Sequence, residues 1–259
     1  MAQQLEFDKA ARDMEVLYTS PIIVERRRRV LAALDPRPGE KVLDVGTGPG
    51  FTASDLAARV ALGGSVTAID RSREMLTLAR RRCAEFPQVS FDEADATSIP
   101  ANPAVFDAAL AVQVYEFVTG VEAALRELRR VLRPGGRAVI VDSDWESLVW
   151  EAGDRKRAAR IFHAWDEHLA DPYLPRRLAP LARQVGFEVM GAEAYTAITL
   201  EHEAYVRGLA KMIADFVPGR GGVTKEDAVA WLDDLATRHA RGEYFFSLSA
   251  YLFALRLPS

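Results

Sequence analysis

Between residues 41 and 143 the chain alternates short apolar runs, rich in Val, Ile and Ala, with longer segments of helical periodicity, and Gly, Pro or Asp stands at the joins. Such alternation builds a parallel sheet, because parallel neighbours need a long crossover and a helix supplies one while covering the sheet face. The pattern predicts strands at Lys41–Val45, Ser65–Asp70, Val89–Glu93, residues 106–114 and residues 137–142, most of them continuous apolar runs, as strands covered on both faces require. Helices are predicted at Phe51–Val60, residues 73–83 and residues 121–132, the last with Ala124, Leu128, Val131 and Leu132 as a stripe that Pro134-Gly135-Gly136 stops. The third crossover is short. Upstream, Pro21–Leu34 reads as a helix ended by Asp35-Pro36. Downstream, helices are expected at residues 155–170, 176–185, 201–216 and 224–239, with strands at 187–198 and 244–257, so that a helical lid is inserted before the chain returns to the sheet.

Composition narrows the function classes. The 259 residues are 49% hydrophobic and 27% charged, which is enough apolar material for a buried core and excludes disorder. The single cysteine, Cys83, forms no internal disulfide or cysteine-rich zinc site, which fits a reducing compartment. The first residues show no basic segment followed by an apolar stretch, and no window nears the roughly 18 apolar residues of a bilayer span. A soluble, unprocessed, cytoplasmic protein without membrane partners is expected. A net charge of −4 gives no global attraction to phosphate polymers. Four consecutive arginines at residues 26–29 point all around a helix and read as solvated charge, so no nucleic-acid partner is expected.

The most informative stretch is Val42-Leu43-Asp44-Val45-Gly46-Thr47-Gly48-Pro49-Gly50, a hydrophobic strand entering a turn with Gly at alternate positions. Glycine tolerates left-handed backbone and lets a small molecule approach the main chain at the carboxyl end of the strand. The dinucleotide fingerprint G-x-G-x-x-G/A needs a small third residue, and here that position is Phe51. The spacing is G-x-G-x-G instead, preceded by an acid.

In this form the turn resembles motif I of class I S-adenosylmethionine-dependent methyltransferases. Ala68-Ile69-Asp70-Arg71-Ser72-Arg73-Glu74-Met75-Leu76 resembles the second-strand motif, Glu93-Ala94-Asp95-Ala96 the third, and the segment from Glu127 through Leu132-Arg133-Pro134-Gly135-Gly136 the turn before strand five. The likeness covers roughly residues 10–145 and is greatest to the small-molecule enzymes of ubiquinone and menaquinone biosynthesis. It implies an α/β fold, Rossmann-like and doubly wound, with a mostly parallel seven-stranded sheet, an N-terminal helical segment and a C-terminal helical lid. Residues 1–145 would carry the N-terminal helices and the cofactor-binding core, and residues 146–259 the lid and last strands. The cofactor implied is S-adenosyl-L-methionine. In that picture Asp70 accepts hydrogen bonds from the ribose hydroxyls, although it also stands where it can cap the next helix. Asp95 and Ala96 meet the adenine edge, Arg71 and Met75 flank its plane, and Gly46, Gly48, Gly50 and Asp44 shape the methionine end. Gln113 is a further contact, and Tyr18-Thr19 folds over the cofactor.

A sulfonium methyl is already activated, so the protein chiefly aligns an acceptor and excludes water. The expected reaction is in-line transfer to an oxygen, nitrogen or carbon atom of a small molecule. No metal is expected, since Gln113-Val114-Tyr115 lacks the carboxylates of metal-dependent relatives. Where a base helps, the candidates are Tyr115, Glu116 and Asp144, with Asp142 beside them and His163 or His168 if their helix folds over the site. Tyr115-Glu116-Phe117 departs from the histidine frequent in the family. The alternatives are a nicotinamide-dinucleotide oxidoreductase and a non-catalytic protein that binds S-adenosylmethionine.

Overall fold

The computed structural model describes residues 17–61 and 63–259, and expectations that touch residues 1–16 lie outside them. Strands β1 (Lys41–Val45), β2 (Ser65–Asp70), β3 (Val89–Glu93), β4 (Phe106–Val112) and β5 (Leu132–Ser143) pair as parallel neighbours in the order β3-β2-β1-β4-β5. The order reverses between β1 and β4, the switch point at which open α/β sheets place a ligand crevice.

The sheet continues with antiparallel strands. β6 is the two-residue Val149–Trp150, β7 is Glu188–Thr199 and β8 is Phe246–Arg256. β8 lies between β5 and β7 and is antiparallel to both, while β6 pairs with the first residues of β8. The sheet therefore has eight strands among the described residues, where the sequence indicated seven. A pair of residues carries no readable alternation, so β6 left no signal.

Helices α1 (Pro21–Leu34), α2 (Phe51–Val60), α3 (Arg73–Arg82) and α4 (Val121–Val131) occupy the first half of the chain. In the second half lie α5 (Arg155–Trp165), α6 (Pro175–Gln184), α7 (Ala204–Phe216) and α8 (Lys225–Ala240). Alternate residues of the central strands feed two cores. Val42, Val66, Leu110 and Val141 meet α1 and α2, whereas Leu43, Ile69, Ala111 and Ile140 meet α4 and α6. On α4 the stripe is fully buried, and each such leucine contributes about 1.5–3 kcal/mol. A third core, built on Trp150, Trp165, Trp231 and Phe246, joins α5, α7 and α8.

Several boundaries differ from expectation for local reasons. β4 ends at Val112 because Gln113 adopts φ +57° and turns the chain into the 3-10 turn Tyr115–Phe117. β5 starts at Leu132, which already pairs with Phe106, so α4 ends before the Pro-Gly-Gly turn. α5 stops at Trp165 and a 3-10 turn, Asp166–His168, replaces the expected last helical turn. No helix among the described residues is long and apolar enough to cross a membrane.

Candidate active site

The crevice holds a cavity of about 480 Å³, within the range of small-molecule sites. Its first wall is the turn after β1. Gly46 and Gly48 have φ of +67° and +53°, and both line the cavity. A Cβ on Gly46 would collide with the Val114 side chain, so glycine is required where the β1 and β4 loops touch. Gly50, at φ +82°, does not reach the cavity. A Cβ there would lie 2.7 Å from the Ala79 Cα, so its role is close packing of the turn against α3.

The acids around this turn are held by specific donors. Asp44 is buried and its Oδ2 accepts from the Thr47 hydroxyl at 2.7 Å; burial, aided by the neighbouring charge of Asp70, pushes it up to about 7. Asp70 stands at the tip of β2 on the cavity wall. Its Oδ2 accepts from the Gly48 amide at 2.8 Å and its Oδ1 from the Ser72 amide at 2.9 Å. Burial raises its proton affinity against those two bonds. The cap of α3 is Ser72, whose hydroxyl accepts from the Met75 amide, so Asp70 binds the glycine turn as well as the helix entry.

Next to Asp70 the wall passes through Arg71, Met75, Ala94 and Ala96. Asp95 is turned away from the cavity: its Oδ1 accepts from the amide and hydroxyl of Thr97, and it pairs with Arg71 at 3.4 Å. Tyr18 closes this end. Its ring stacks on Phe51 at 5.7 Å, and the Arg82 guanidinium lies 3.3 Å from the Phe51 centroid on the same residue. Phe51, too large for a dinucleotide turn, is therefore the platform for Tyr18.

The loop after β4 forms the far wall. Gln113 Oε1 accepts from Arg26 at 2.7 Å and from the Ser143 hydroxyl at 2.8 Å. Glu116 is 1% exposed yet lines the cavity. Burial pushes it up to about 7, against hydrogen bonds from Ser143 and Trp145 and the charge of Arg26. Phe117, Trp145, Trp165, His168, Tyr205 and Met212 complete this end. His168 bonds the Trp165 carbonyl through Nδ1 and stacks on the Trp165 ring at 3.6 Å, and burial lowers it to about 4.

Three residues expected near the reaction stand elsewhere. Tyr115 is fully buried in the core beneath α4, off the cavity wall, its hydroxyl without a hydrogen-bond partner among the described residues. Asp144 is held by Arg176 at 2.8 and 3.0 Å and does not line the cavity. His163 is exposed on the outer side of α5. Asp142 is buried beneath the floor, where its Oδ1 accepts from the Val114 amide at 3.0 Å. Cys83 is buried too, its thiol pushed up to about 11 by burial and the nearby Asp44 charge. Among the described residues no group of three or more His, Cys, Asp or Glu is placed to hold a metal.

Arg26, read from the sequence as solvated charge, is part of the cavity wall. Ile23, Val30 and Leu34 mark the buried face of α1, and residues 26 and 27 fall on the same face, so the helical spacing held that signal.

The strand order, the antiparallel pair at its end and a glycine turn after β1 facing an acid after β2 define the Rossmann-like methyltransferase class. A family described as a methyltransferase domain matches residues 43–140. An uncharacterised 37.1 kDa protein in transposon TN4556 of Streptomyces fradiae is 35% identical over 226 residues, 86% of this chain and 64% of that protein. This chain thus spans somewhat under two thirds of that relative's length. A 2-phytyl-1,4-naphtoquinone methyltransferase of Thermosynechococcus vestitus is 31% identical over 165 residues, 58% of this chain and 73% of that protein. A solved SAM-dependent methyltransferase from Aquifex aeolicus superposes with a TM-score of 0.56 at 19% identity, covering 94% of this chain and 97% of the other. The chain belongs to the class I S-adenosylmethionine-dependent methyltransferases.

Proposed function

We propose that this protein transfers a methyl group from S-adenosylmethionine to a small-molecule acceptor. The observation that carries the reading is the Asp70 carboxylate, held at 2.8 Å by the Gly48 amide on the wall of a cavity that runs on past Gln113 into an aromatic chamber. One cavity thus offers a nucleoside end and an acceptor end.

The residues fit the cofactor. Asp70 accepts hydrogen bonds from a pair of ribose hydroxyls. Met75, Ala96 and Ile69 offer an apolar slot for a base, with Arg71 at its rim and Asp95 one residue from the wall. The amino-acid end falls to Gly46, Gly48, Gln113 and Arg26, whose guanidinium matches a carboxylate, while Asp44 and Thr47 brace the turn beneath it. When bound, the cofactor supplies a methyl group on a positively charged sulfur whose leaving form is neutral. The chain's own task is to place the acceptor behind that carbon and exclude water, which Tyr18, Tyr205 and Met212 do from above.

Titration calorimetry with S-adenosylmethionine, S-adenosylhomocysteine and NAD tests the proposal. Binding of the two sulfur nucleosides without binding of NAD is expected. Preference for NAD would replace the reading with a dehydrogenase.

A further inference from the structure

The acceptor end of the cavity carries more than shape. Glu116 sits on the 3-10 turn Tyr115–Phe117, whose position is clamped: its carbonyl accepts from the Ala170 and Asp171 amides and its amide donates to Asp142 Oδ1 at 3.4 Å. Among the described residues, the three donors to its carboxylate use the same oxygen. Oε2 accepts from the Ser143 amide at 3.0 Å, from Trp145 Nε1 at 3.3 Å and from Gln113 Nε2 at 3.5 Å. With those donors on Oε2, Oε1 is the oxygen left to the cavity that Glu116 lines.

Resting on the methyl-transfer reading above, we infer that Glu116 Oε1 takes the proton of a hydroxyl nucleophile carried on an aromatic frame. An almost wholly buried carboxylate is tolerated only with donors to stabilise its charge, and here the donors fix one oxygen and free the other. The aromatic side chains that line the same cavity, Phe117, Trp145, Trp165 and Tyr205, select a flat apolar guest. The charged and titratable groups facing it are Arg26 from α1, Asp142 from β5, Tyr205 from α7 and His168 beyond α5. The one oxygen left by those donors matches the single O–H of a hydroxyl, where an ammonium would bring three donors.

Asp142 does not compete for that proton. It lies beneath the floor and off the cavity wall, its proton affinity raised by burial and the Glu116 charge, whereas Glu116 lines the cavity and titrates near 7, where a base is both available and basic enough. His168 is neutral, and its Nε2 serves as a hydrogen-bond acceptor too weakly basic to be the proton's destination. As the hydroxyl oxygen bonds the methyl carbon, its proton passes to Oε1 and the carbon–sulfur electron pair stays on sulfur. A methyl ether, a neutral thioether and a protonated Glu116 result, and the carboxyl returns its proton to water when the products leave.

The experiment compares wild type with Glu116→Gln, using 1-naphthol and 1-naphthalenethiol as acceptors. The thiol ionises unaided near neutral pH and needs no base. Wild type should methylate both, with a naphthol rate that rises with pH through about 7. The variant should lose on the order of 10²–10⁴-fold in naphthol methylation, and the pH limb with it, while its thiol rate stays within about threefold. Equal losses on both acceptors, an unchanged naphthol rate, or a wild type that binds S-adenosylhomocysteine and methylates neither or only the thiol would each overturn the assignment. Failure of wild type to bind S-adenosylhomocysteine at all would instead remove the methyl-transfer reading beneath it.

Discussion

Asp70 makes two bonds: one from the Ser72 amide at the entry of α3, as a capping residue would, and one across from Gly48 that capping does not need. Replacing it removes a charge-assisted acceptor from the proposed ribose end and also frees the glycine turn. Asp70→Ala is therefore expected to weaken S-adenosylhomocysteine binding by about 1.5–3 kcal/mol, with calorimetric affinity as the measure. An affinity within twofold of wild type would remove its assigned role. Gly50 gives the opposite outcome. Gly50→Ala combines a left-handed backbone with a Cβ driven into the Ala79 main chain, a cost of about 2–4 kcal/mol. Because Gly50 is off the cavity wall, the melting temperature should fall while the folded fraction binds the cofactor product with near-normal affinity. A normal melting temperature would show that the turn has room to relax.

Elements were legible where a side-chain pattern ran long enough. Pro21–Leu34, Phe51–Val60 and the first three strands appear with the bounds that periodicity gave, since burial of one face dictates both pattern and structure. The pattern is blind to a change of winding. Residues 155–170 keep helical spacing throughout, yet the chain tightens after Trp165, and the turn puts His168, not His163, on the cavity. Backbone reversal at Gln113 is equally silent in apolar spacing, and it decides that Glu116 reaches the cavity while Tyr115 enters the core. The segment before α1 shows how a single residue ties elements together. Tyr18 lies against Phe51, at the first position of α2, and its hydroxyl stands beside Gly48. Phe51→Ala removes that stacking, worth about 0.5–1.5 kcal/mol, and should speed release of S-adenosylhomocysteine several-fold in stopped-flow fluorescence with little change in melting temperature. An unchanged release rate would mean that Tyr18 holds its place without Phe51.

At the scale of the whole molecule the site depends on contacts that no local pattern encodes, such as Arg26 reaching Gln113 across 87 residues of sequence. The alternation showed that the sheet is parallel, and such sheets bind ligands at the carboxyl ends of their strands, but it did not tell which side chains cross the crevice. The same crevice concentrates buried acids under one floor, and their proton balance makes folding pH-dependent. Asp44 and Glu116 are both raised by burial to about 7, from ordinary values near 4 in the unfolded chain. Between those limits the folded protein holds more protons than the unfolded one, so stability falls as pH rises through the window. Asp142 acts in the same direction. His168 opposes them: lowered to about 4, it makes the unfolded chain the better proton binder up to about 6.5, and its contribution grows with pH over that interval. Buried acids outnumber the imidazole, and above about 6.5 nothing from His168 remains to offset them. The urea midpoint should therefore be lower at pH 8 than at pH 5.5. Asp44→Asn keeps an acceptor for the Thr47 hydroxyl while removing the charge, so its stability relative to the parent should improve over the same interval, by on the order of 1–2 kcal/mol. A parent midpoint that rises between pH 5.5 and 8, with Asp44→Asn following it in parallel, would show that these acids are solvated in the folded protein.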